Sequence, residues 1–330
     1  MSNISDCKRY VRLLGLLGDK QKFIFKMYED TDDVEIVSYI DVNVEDNIGL
    51  GKKINGIYYN STTNEASWCV EDKIDIPEFV TKIKKGAFAK IYKPLKVDIK
   101  SKQIKSLEGV FSGYTGSSIQ VYGDTTNLES MECMFLNCEK LKDVQLELNT
   151  REVKSTKGMF AGCVSLRYLD LSDLDTYNVR NMSYMFRFCM NLRELNLNKM
   201  DTHNVKTMAY MFSDCIELYK LNIDNFNTSK VKDMRYMFSD CINIKNINIK
   251  SFNTCDVVDM HSMFEHCYQL NDIAVKNIKF NSVRDIDNII NCCGIDNRYL
   301  KFKIKQWKVF IKPIIKFKRL IRKFKLRKRK

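Results

Sequence analysis

The sequence is poor in the residues and motifs that mark enzymes. Its 330 residues include three histidines, His203, His261 and His266, and none is accompanied by a paired base, a nucleophile or a metal-ligand spacing. No P-loop, dinucleotide-binding fingerprint or kinase signature is present. These absences predict a chain without catalytic residues, without a metal site and without a cofactor.

Long apolar runs are also missing. Near the N-terminus only residues 13–18 form an apolar run, which is too short for a signal peptide or a membrane-spanning helix. We therefore expect an intracellular protein, with the cytoplasm, a membrane surface and the nucleus as the alternative locations. In that setting the twelve cysteines are expected to stay reduced.

A repeat dominates what is present. The pair Met-Phe recurs at a step of 25 residues once and 26 residues four times, and a cysteine follows each pair at the same step. The cysteines are Cys138, Cys163, Cys189, Cys215, Cys241 and Cys267. Such a period indicates a solenoid, whose units bury their apolar faces only against each other.

The spacing within one repeat predicts a short helix followed by a short strand. Val179, Met182, Met185, Phe186 and Cys189 fall on one stripe at 3.6 residues per turn. A threonine before each stripe, at 150, 176, 202, 228 and 254, is placed to cap the helix. The alternating run after Cys189 predicts a strand with one buried face.

Stacking such units predicts a curved α/β array with the sheet inside. Helices need roughly 8–10 Å side by side, whereas strands need about 4.8 Å. Helix-borne cysteines would then lie too far apart for disulfides. We interpret the cysteines as small, buried, reduced core residues.

The repeat resembles a known family. The segments LDLSDLDTYNVRNMSYMFRFC and LNIDNFNTSKVKDMRYMFSDC are similar to BspA-like surface-protein repeats of 26 residues, a leucine-rich-repeat variant abundant in Mycoplasma lipoproteins. The resemblance covers residues 126–293. It implies a leucine-rich-repeat-type solenoid used for contact with other molecules, and it carries no catalytic residues. Bacterial members are usually exported, and this sequence shows no export signal.

The repeat divides the chain into three parts. Residues 79–295 are predicted to form the solenoid, degenerate over 79–125 and regular over 126–275. Residues 1–78 predict a β-rich module or N-terminal cap, and residues 296–330 a basic amphipathic tail.

Patterns inside residues 1–78 predict particular strands. Residues 22–27 and 34–44 alternate as strands do, and residues 56–59 with 68–70 predict a hairpin. Residues 29–46 contain eight acidic side chains and no Lys or Arg, which we interpret as a solvated strand edge and loop.

The polar side of the predicted strands is the candidate binding surface. Between the buried leucines, two columns of side chains point away from the core, and their mixed acids, amides and tyrosine suit protein recognition better than phosphate binding. The alternative is a solvated polar ladder that binds nothing. The candidate residues are Tyr168, Asp170, Glu194, Asn196, Lys220, Asn222, Asn246 and Asn248. A further column, Tyr184, Tyr210 and Tyr236, is interpreted as packing between repeats.

The C-terminal tail carries the chain's excess charge. Residues 300–330 hold fifteen Lys or Arg and no acid. Because the net charge of the whole chain is +13, the remaining residues have a net charge of 13 − 15 = −2. After Pro313 the pattern predicts an amphipathic helix with basic and apolar faces. Its candidate contact residues are Lys316, Phe317, Arg319, Leu320, Ile321, Arg322, Lys323 and Phe324.

Two non-enzymatic functions remain open from the sequence, and a hydrolase or transferase is kept as a third class because the pattern of residues 1–78 does not reveal their role. The first is a non-enzymatic scaffold that binds an unidentified protein through the sheet face and is localised by its tail. The second is a nucleic-acid-binding or nuclear protein that uses the tail. An anionic membrane, a calmodulin-like groove and the solenoid itself are further candidate receivers of the tail's apolar face.

Overall fold

The computed structural model describes residues 21–27, 34–41, 53–54, 57–58, 73–89, 91–273, 282–294 and 298–313. Its strands are β1 (Gln21–Met27), β2 (Val34–Asp41), β3 (Lys53–Ile54), β4 (Ile57–Tyr58), β5 (Lys73–Ile76), β6 (Lys82–Ile83), β7 (Leu95–Ile99), β8 (Ser118–Gly123), β9 (Asp143–Leu148), β10 (Tyr168–Asp170), β11 (Glu194–Asn196), β12 (Lys220–Leu221), β13 (Asn246–Ile247) and β14 (Asp272–Ile273). A helix, α1 (Arg298–Gln306), continues as a π-helical segment at Trp307–Ile311.

The repeats form a β-solenoid in which each repeat is one coil. Parallel pairing joins β5, β7, β8 and β9 in one sheet, β10, β11 and β12 in a second, and β13 and β14 in a third. Corresponding residues of successive coils lie in register, as in Tyr168 opposite Glu194 and Glu194 opposite Lys220. The predicted strand of each repeat and the solenoid are therefore confirmed.

The predicted helix in each repeat is wrong. The Met-Phe segments are successive turns, and a second column of parallel bridges, here called the bridge column, links Ser106, Ser130, Ser155, Asn181, Thr207, Asp233, Asp259 and Asp285. Alternate residues donate to the next coil, as Phe186 N does to Met211 O at 2.9 Å. The residues between them donate within the turn, as Cys189 N does to Phe186 O at 3.1 Å. These donors are thus unavailable for the i to i−4 bonds of an α-helix.

Left-handed residues explain why turns imitate helical spacing. Tyr184 and Phe188 have φ of 62° and 60°, and equivalent residues in other coils also have positive φ. Each such residue redirects the chain, so Met182, Met185, Phe186 and Cys189 all reach the core with no exposed surface.

In the core, the spacing between successive coils is as narrow beside the Met-Phe turns as it is beside the strands. Phenylalanine rings of successive coils, from Phe88 to Phe264, stack with centroids 5.3–5.9 Å apart. This is close to the strand spacing of about 4.8 Å. The predicted curvature, and the predicted distance between cysteines, depended on wide helices and lose their basis.

The cysteine column is buried and free, as predicted, and it has a role beyond filling space. Each thiol donates to the phenylalanine carbonyl of the preceding coil at 3.0–3.1 Å, as Cys215 Sγ does to Phe186 O. Burial raises the pKa of the thiols of Cys189, Cys215 and Cys241, that of Cys189 to about 12. The thiol is therefore a neutral donor that satisfies a buried carbonyl.

The threonines placed as helix caps are ladder residues instead. The hydroxyl of Thr176 donates to Asp201 O and accepts from Asp201 N, both at 2.8 Å. Thr202 and Thr228 bond Asn227 and Asn253 in the same two ways. The side chain joins two coils because no helix N-terminus exists for it to cap.

Both ends of the solenoid are covered. At the N-terminal end β1 and β2 pair antiparallel, and β2 pairs with β6 through Glu35 and Ile36. Strands 22–27 and 34–41 are thus confirmed. β4 pairs with β3, and residues 68–70 of the predicted hairpin lie outside the described residues. At the other end Trp307 is fully buried and its Nε1 donates to Val283 O at 3.0 Å.

Candidate recognition surface

The structure brings the predicted sheet-face residues to the surface as two in-register columns. Tyr168, Glu194 and Lys220 lie side by side on β10, β11 and β12, and Asp170 lies beside Asn196. Asn246 is in β13, Asn222 directly follows β12, and Asn248 directly follows β13. All eight side chains are exposed or half-buried. Buried Leu169, Leu195 and Leu221 hold the strands from beneath.

One of the two columns also has a structural task. The Oδ1 atoms of Asp170, Asn196, Asn222 and Asn248 each accept the backbone N–H two residues later, at 2.8–3.2 Å. The hydrogen bond from Ser172 N lowers the pKa of Asp170. Such turns favour Asp and Asn for local reasons, so this column is explained without a ligand.

The second column is built around Glu194. Its Oε1 accepts from the hydroxyl of Tyr219 at 2.6 Å, and its Oε2 lies 3.9 Å from Lys220 Nζ. The bond to Glu194 raises the pKa of Tyr219, and the charge of Asp170 raises that of Tyr168. Both tyrosines keep their hydroxyl protons at neutral pH. Their side chains are 49% and 55% exposed.

A third column beside the strands was missed from the sequence. We call it the rim column, and it comprises Lys142, Arg167, Arg193, Tyr219 and Lys245, all exposed. Arg193 Nη2 lies 3.7 Å from Glu217 Oε2. Two adjacent residues of each coil, such as Arg167 and Tyr168, both face solvent, which breaks the strict alternation used to assign the surface. The signal that could have revealed it is the recurrence of Lys or Arg at this position.

The tyrosine column predicted to pack between repeats does so. The rings of Tyr184 and Tyr210 stack at 4.8 Å, and those of Tyr210 and Tyr236 at 4.6 Å. The guanidinium of Arg187 lies 4.9 Å from the Tyr210 ring. His261 ends the column and bonds the Tyr236 hydroxyl at 2.9 Å.

The three histidines are half-buried. His203 Nδ1 is 2.8 Å from Asp201 Oδ1, and His266 Nδ1 is 2.9 Å from Asp240 Oδ1. The first pair lies within one coil, and the second joins two neighbouring coils. In the described part of the chain no group of three His, Cys, Asp or Glu side chains is placed to hold a metal ion.

The tail residues predicted for contact, 316–324, lie outside the described residues. What is described of the segment, residues 298–313, packs on the last coil: Lys312 Nζ is 2.7 Å from Asp287, and Trp307 is buried. Over the described ranges, no helix has both the length and the apolar character needed to cross a membrane.

Comparison with known proteins gives a family and a set of similar repeat structures. No curated protein sequence matches the chain. A leucine-rich repeat protein of T. pallidum is 15% identical, covers 86% of this chain and 92% of its own, and has a TM-score of 0.34. A leucine-rich cell surface protein of Faecalibacterium prausnitzii is 14% identical, with coverages of 87% and 98% and a TM-score of 0.30. A leucine-rich repeat protein of Bacteroides ovatus is 16% identical, with coverages of 83% and 92% and a TM-score of 0.22.

Similarity this low transfers neither a function nor a binding residue. The family match is broader. One family model, described as "Mycoplasma protein of unknown function, DUF285", matches residues 105–218 and again residues 188–307, which together span more than half of the chain. The chain therefore belongs to the DUF285 family.

Proposed function

We propose that the chain is a non-enzymatic repeat scaffold that binds a partner protein through its sheet face. The observation that supports this most is that Tyr168 on β10, and Arg193 and Tyr219 directly before β11 and β12, are exposed around Glu194. Tyrosine and arginine are enriched among residues that dominate binding energy at protein interfaces. The affiliation of this chain's repeats with the BspA-like repeats stays a prediction, which the repeat length and the repeated sequence pattern support.

A fixed backbone makes this surface suitable for recognition. Leu169, Leu195 and Leu221 are buried beneath it, and the strands are joined in register, so the side chains project from positions that binding need not order. Less conformational entropy is lost when a partner docks on such a surface. The neighbouring Asp170 and Asn196 column holds turns, so we assign the binding energy to the tyrosine and arginine side chains.

The experiment compares tyrosines of equal exposure on and off the sheet face. A partner is captured with full-length wild-type protein, and its binding to purified wild-type protein and to the Tyr168→Ser/Tyr219→Ser variant is then titrated. The matched control is Tyr177→Ser with Tyr268→Ser, since those side chains are 52% and 55% exposed in other parts of the coils. We expect the first pair to weaken binding at least tenfold and the control to leave it within twofold. Equal binding by both variants would reject the sheet face as the site.

We also propose that the tail localises the scaffold at an anionic membrane. Support comes from its fifteen basic residues without an acid and from Phe302 and Val309, which are 56% and 55% exposed on the preceding helical segment. A surface that offers both cations and apolar groups suits lipid headgroups and acyl chains together. Co-flotation with neutral and anionic liposomes, comparing wild type with Phe317→Ser/Ile321→Ser, tests it. Flotation of the variant equal to wild type would contradict membrane attachment.

A further inference from the structure

A row of basic side chains runs along the solenoid on a segment of each coil separate from the strands. We call it the basic stripe, and it comprises Lys154, Arg180, Lys206, Lys232 and Arg284, all exposed. Val258 occupies the same position in the one intervening coil. From the stripe we propose a binding site for single-stranded nucleic acid on the solenoid body, independent of the sheet face and of the tail.

The stripe is held straight by the backbone. Arg180 N donates to Lys154 O at 2.8 Å, Lys206 N to Arg180 O at 2.8 Å, and Lys232 N to Lys206 O at 2.9 Å. A buried valine precedes each stripe residue, as Val179 and Val205 do. Successive cations therefore start from backbone positions about 4.8 Å apart. From Arg180 to Arg284 the row spans about 19 Å by the same spacing.

The charges of the stripe are largely uncompensated by the protein. Lys154 pairs with Glu129, but over the described residues Arg180, Lys206, Lys232 and Arg284 make no ion pair. The bridge-column carboxylates that follow the stripe positions in sequence contact other groups: Asp233 lies 3.4 Å from Arg235 Nε, Asp285 lies 3.6 Å from His261 Nδ1, and Asp259 accepts His261 N at 3.0 Å. Like charges opposite each other in a ladder destabilise it. A bound polyanion would remove that repulsion and release its counterions.

The shape of the stripe favours one linear strand of phosphates. Cations in single file can follow one phosphodiester backbone, whereas a duplex presents two backbones across its grooves. Tyr177 lies in the turn that precedes Arg180, is 52% exposed and contacts the His203 ring at 4.8 Å. Exposed aromatic rings next to a basic track are what unpaired bases stack on. Apart from half-buried Val258, the described positions of the stripe carry no apolar side chain, so the stripe lacks the apolar face that membrane binding uses.

The direct test is a footprint on the full-length wild-type protein. Lysine acetylation is measured by mass spectrometry with and without single-stranded poly(U) RNA, with duplex RNA, heparin and phosphatidylserine vesicles as separate arms. We expect poly(U) to protect Lys206 and Lys232 at least fivefold, with Lys199 and Lys220 unchanged as internal references. Protection equal in the stripe and the reference lysines, or stronger protection by heparin, duplex or vesicles than by poly(U), would overturn the proposal. Because each lysine is read separately, binding of RNA by the tail does not obscure the result.

Charge variants test the same site by affinity. Arg180→Glu/Lys206→Glu/Lys232→Glu is compared with Lys142→Glu/Arg167→Glu/Lys245→Glu, which makes the same change in net charge on the rim column. Removal of three phosphate contacts should weaken poly(U) binding at least tenfold and reduce the slope of log affinity against log salt by about 2. The rim variant should bind within threefold of wild type. Equal losses in the two variants would show a non-specific charge effect and reject the stripe as a site. The footprint does not depend on either variant folding.

Discussion

The rings of Tyr184 and Tyr210 stack 4.8 Å apart at an interplanar angle of 8°, although both residues have a positive φ. Left-handed backbone costs a residue with a side chain roughly 1–2 kcal/mol. Gly158, at the equivalent place in the preceding coil, has φ of 61° and avoids that cost. Stacking therefore offsets strain that glycine would not have.

This balance predicts an unusual order of stability at position 210. Tyr210→Gly should lose the stacking but relieve the strain, whereas Tyr210→Ala should lose the stacking and keep the strain. In urea denaturation we expect the free energy of unfolding of the alanine variant to be about 1 kcal/mol lower than that of the glycine variant. An alanine variant as stable as the glycine variant would contradict the strain argument. Ala209, buried with ordinary φ, is a control position where glycine should be the worse residue.

Thiol chemistry separates the cysteine column from the exposed cysteines. Cys215 has no exposed surface and burial raises its pKa, whereas Cys292 is exposed. In the native protein a maleimide should label Cys292 rapidly and Cys215 only on unfolding. Rapid native labelling of Cys215 would contradict the packing described above.

Loss of the Cys215 thiol should also destabilise the fold. Cys215→Ala removes the donor to Phe186 O, and we expect a loss of about 1–3 kcal/mol in the free energy of unfolding. Cys292→Ala, made at an exposed site, should be close to neutral. Equal effects of the two substitutions would show that the buried hydrogen bond contributes nothing.

Asp233 is expected to destabilise the protein at neutral pH. Burial raises its pKa, and Asp259 adds to that effect against the opposing influence of Arg235. A carboxyl whose folded-state pKa is raised carries a penalty that is full above that pKa and vanishes below the unfolded value. Asp233→Asn should therefore raise Tm by roughly 2 °C near pH 7 and leave it unchanged near pH 3. Asn181 already makes the same turn in another coil, accepting Ser183 N at 3.0 Å. A gain in Tm that is equal at both pH values would exclude the carboxyl charge as its cause.

Trp307 should be the residue that secures the C-terminal end. Trp307→Ala removes a fully buried ring and the bond to Val283 O, with an expected loss of about 3–5 kcal/mol in chemical unfolding. Val309→Ala, on a 55% exposed side chain of the same segment, should change stability by less than about 0.5 kcal/mol. Similar losses for both variants would mean that the segment is not docked through Trp307.

The period, the strands and the buried columns could be predicted because side chains of one kind recur at one step. The turns could not be predicted from Tyr184 and Phe188, since bulky residues give no sign of left-handed backbone. Gly158 and Gly162 occupy the same two places with φ of 61° and 76°, and aligning them with the tyrosine repeats would have supplied that sign. Periodicity alone cannot distinguish the two structures, because both send Met185 and Cys189 inward.

The surface was predicted unevenly for a related reason. Two columns followed from strand alternation, but Arg193 and Tyr219 lie where two consecutive residues face solvent and alternation fails. The basic stripe arises from positions assigned to helix, where residues 26 apart were expected to be widely separated. Only the narrow spacing of the bridge column places Arg180 beside Lys206.

The coil-to-coil hydrogen bonds fix one spacing between successive coils along the solenoid. Every column, whether of Phe, Cys, sheet-face or basic-stripe residues, gains one residue per coil. Adding or removing one whole repeat therefore changes the length of each column by the same increment of about 4.8 Å. Duplication or loss of a 26-residue unit would leave each remaining thiol facing a phenylalanine carbonyl, as Cys241 faces Phe212 O at 3.0 Å. The reach of the surfaces can thus vary between related chains in discrete steps while the chemistry of each step is retained.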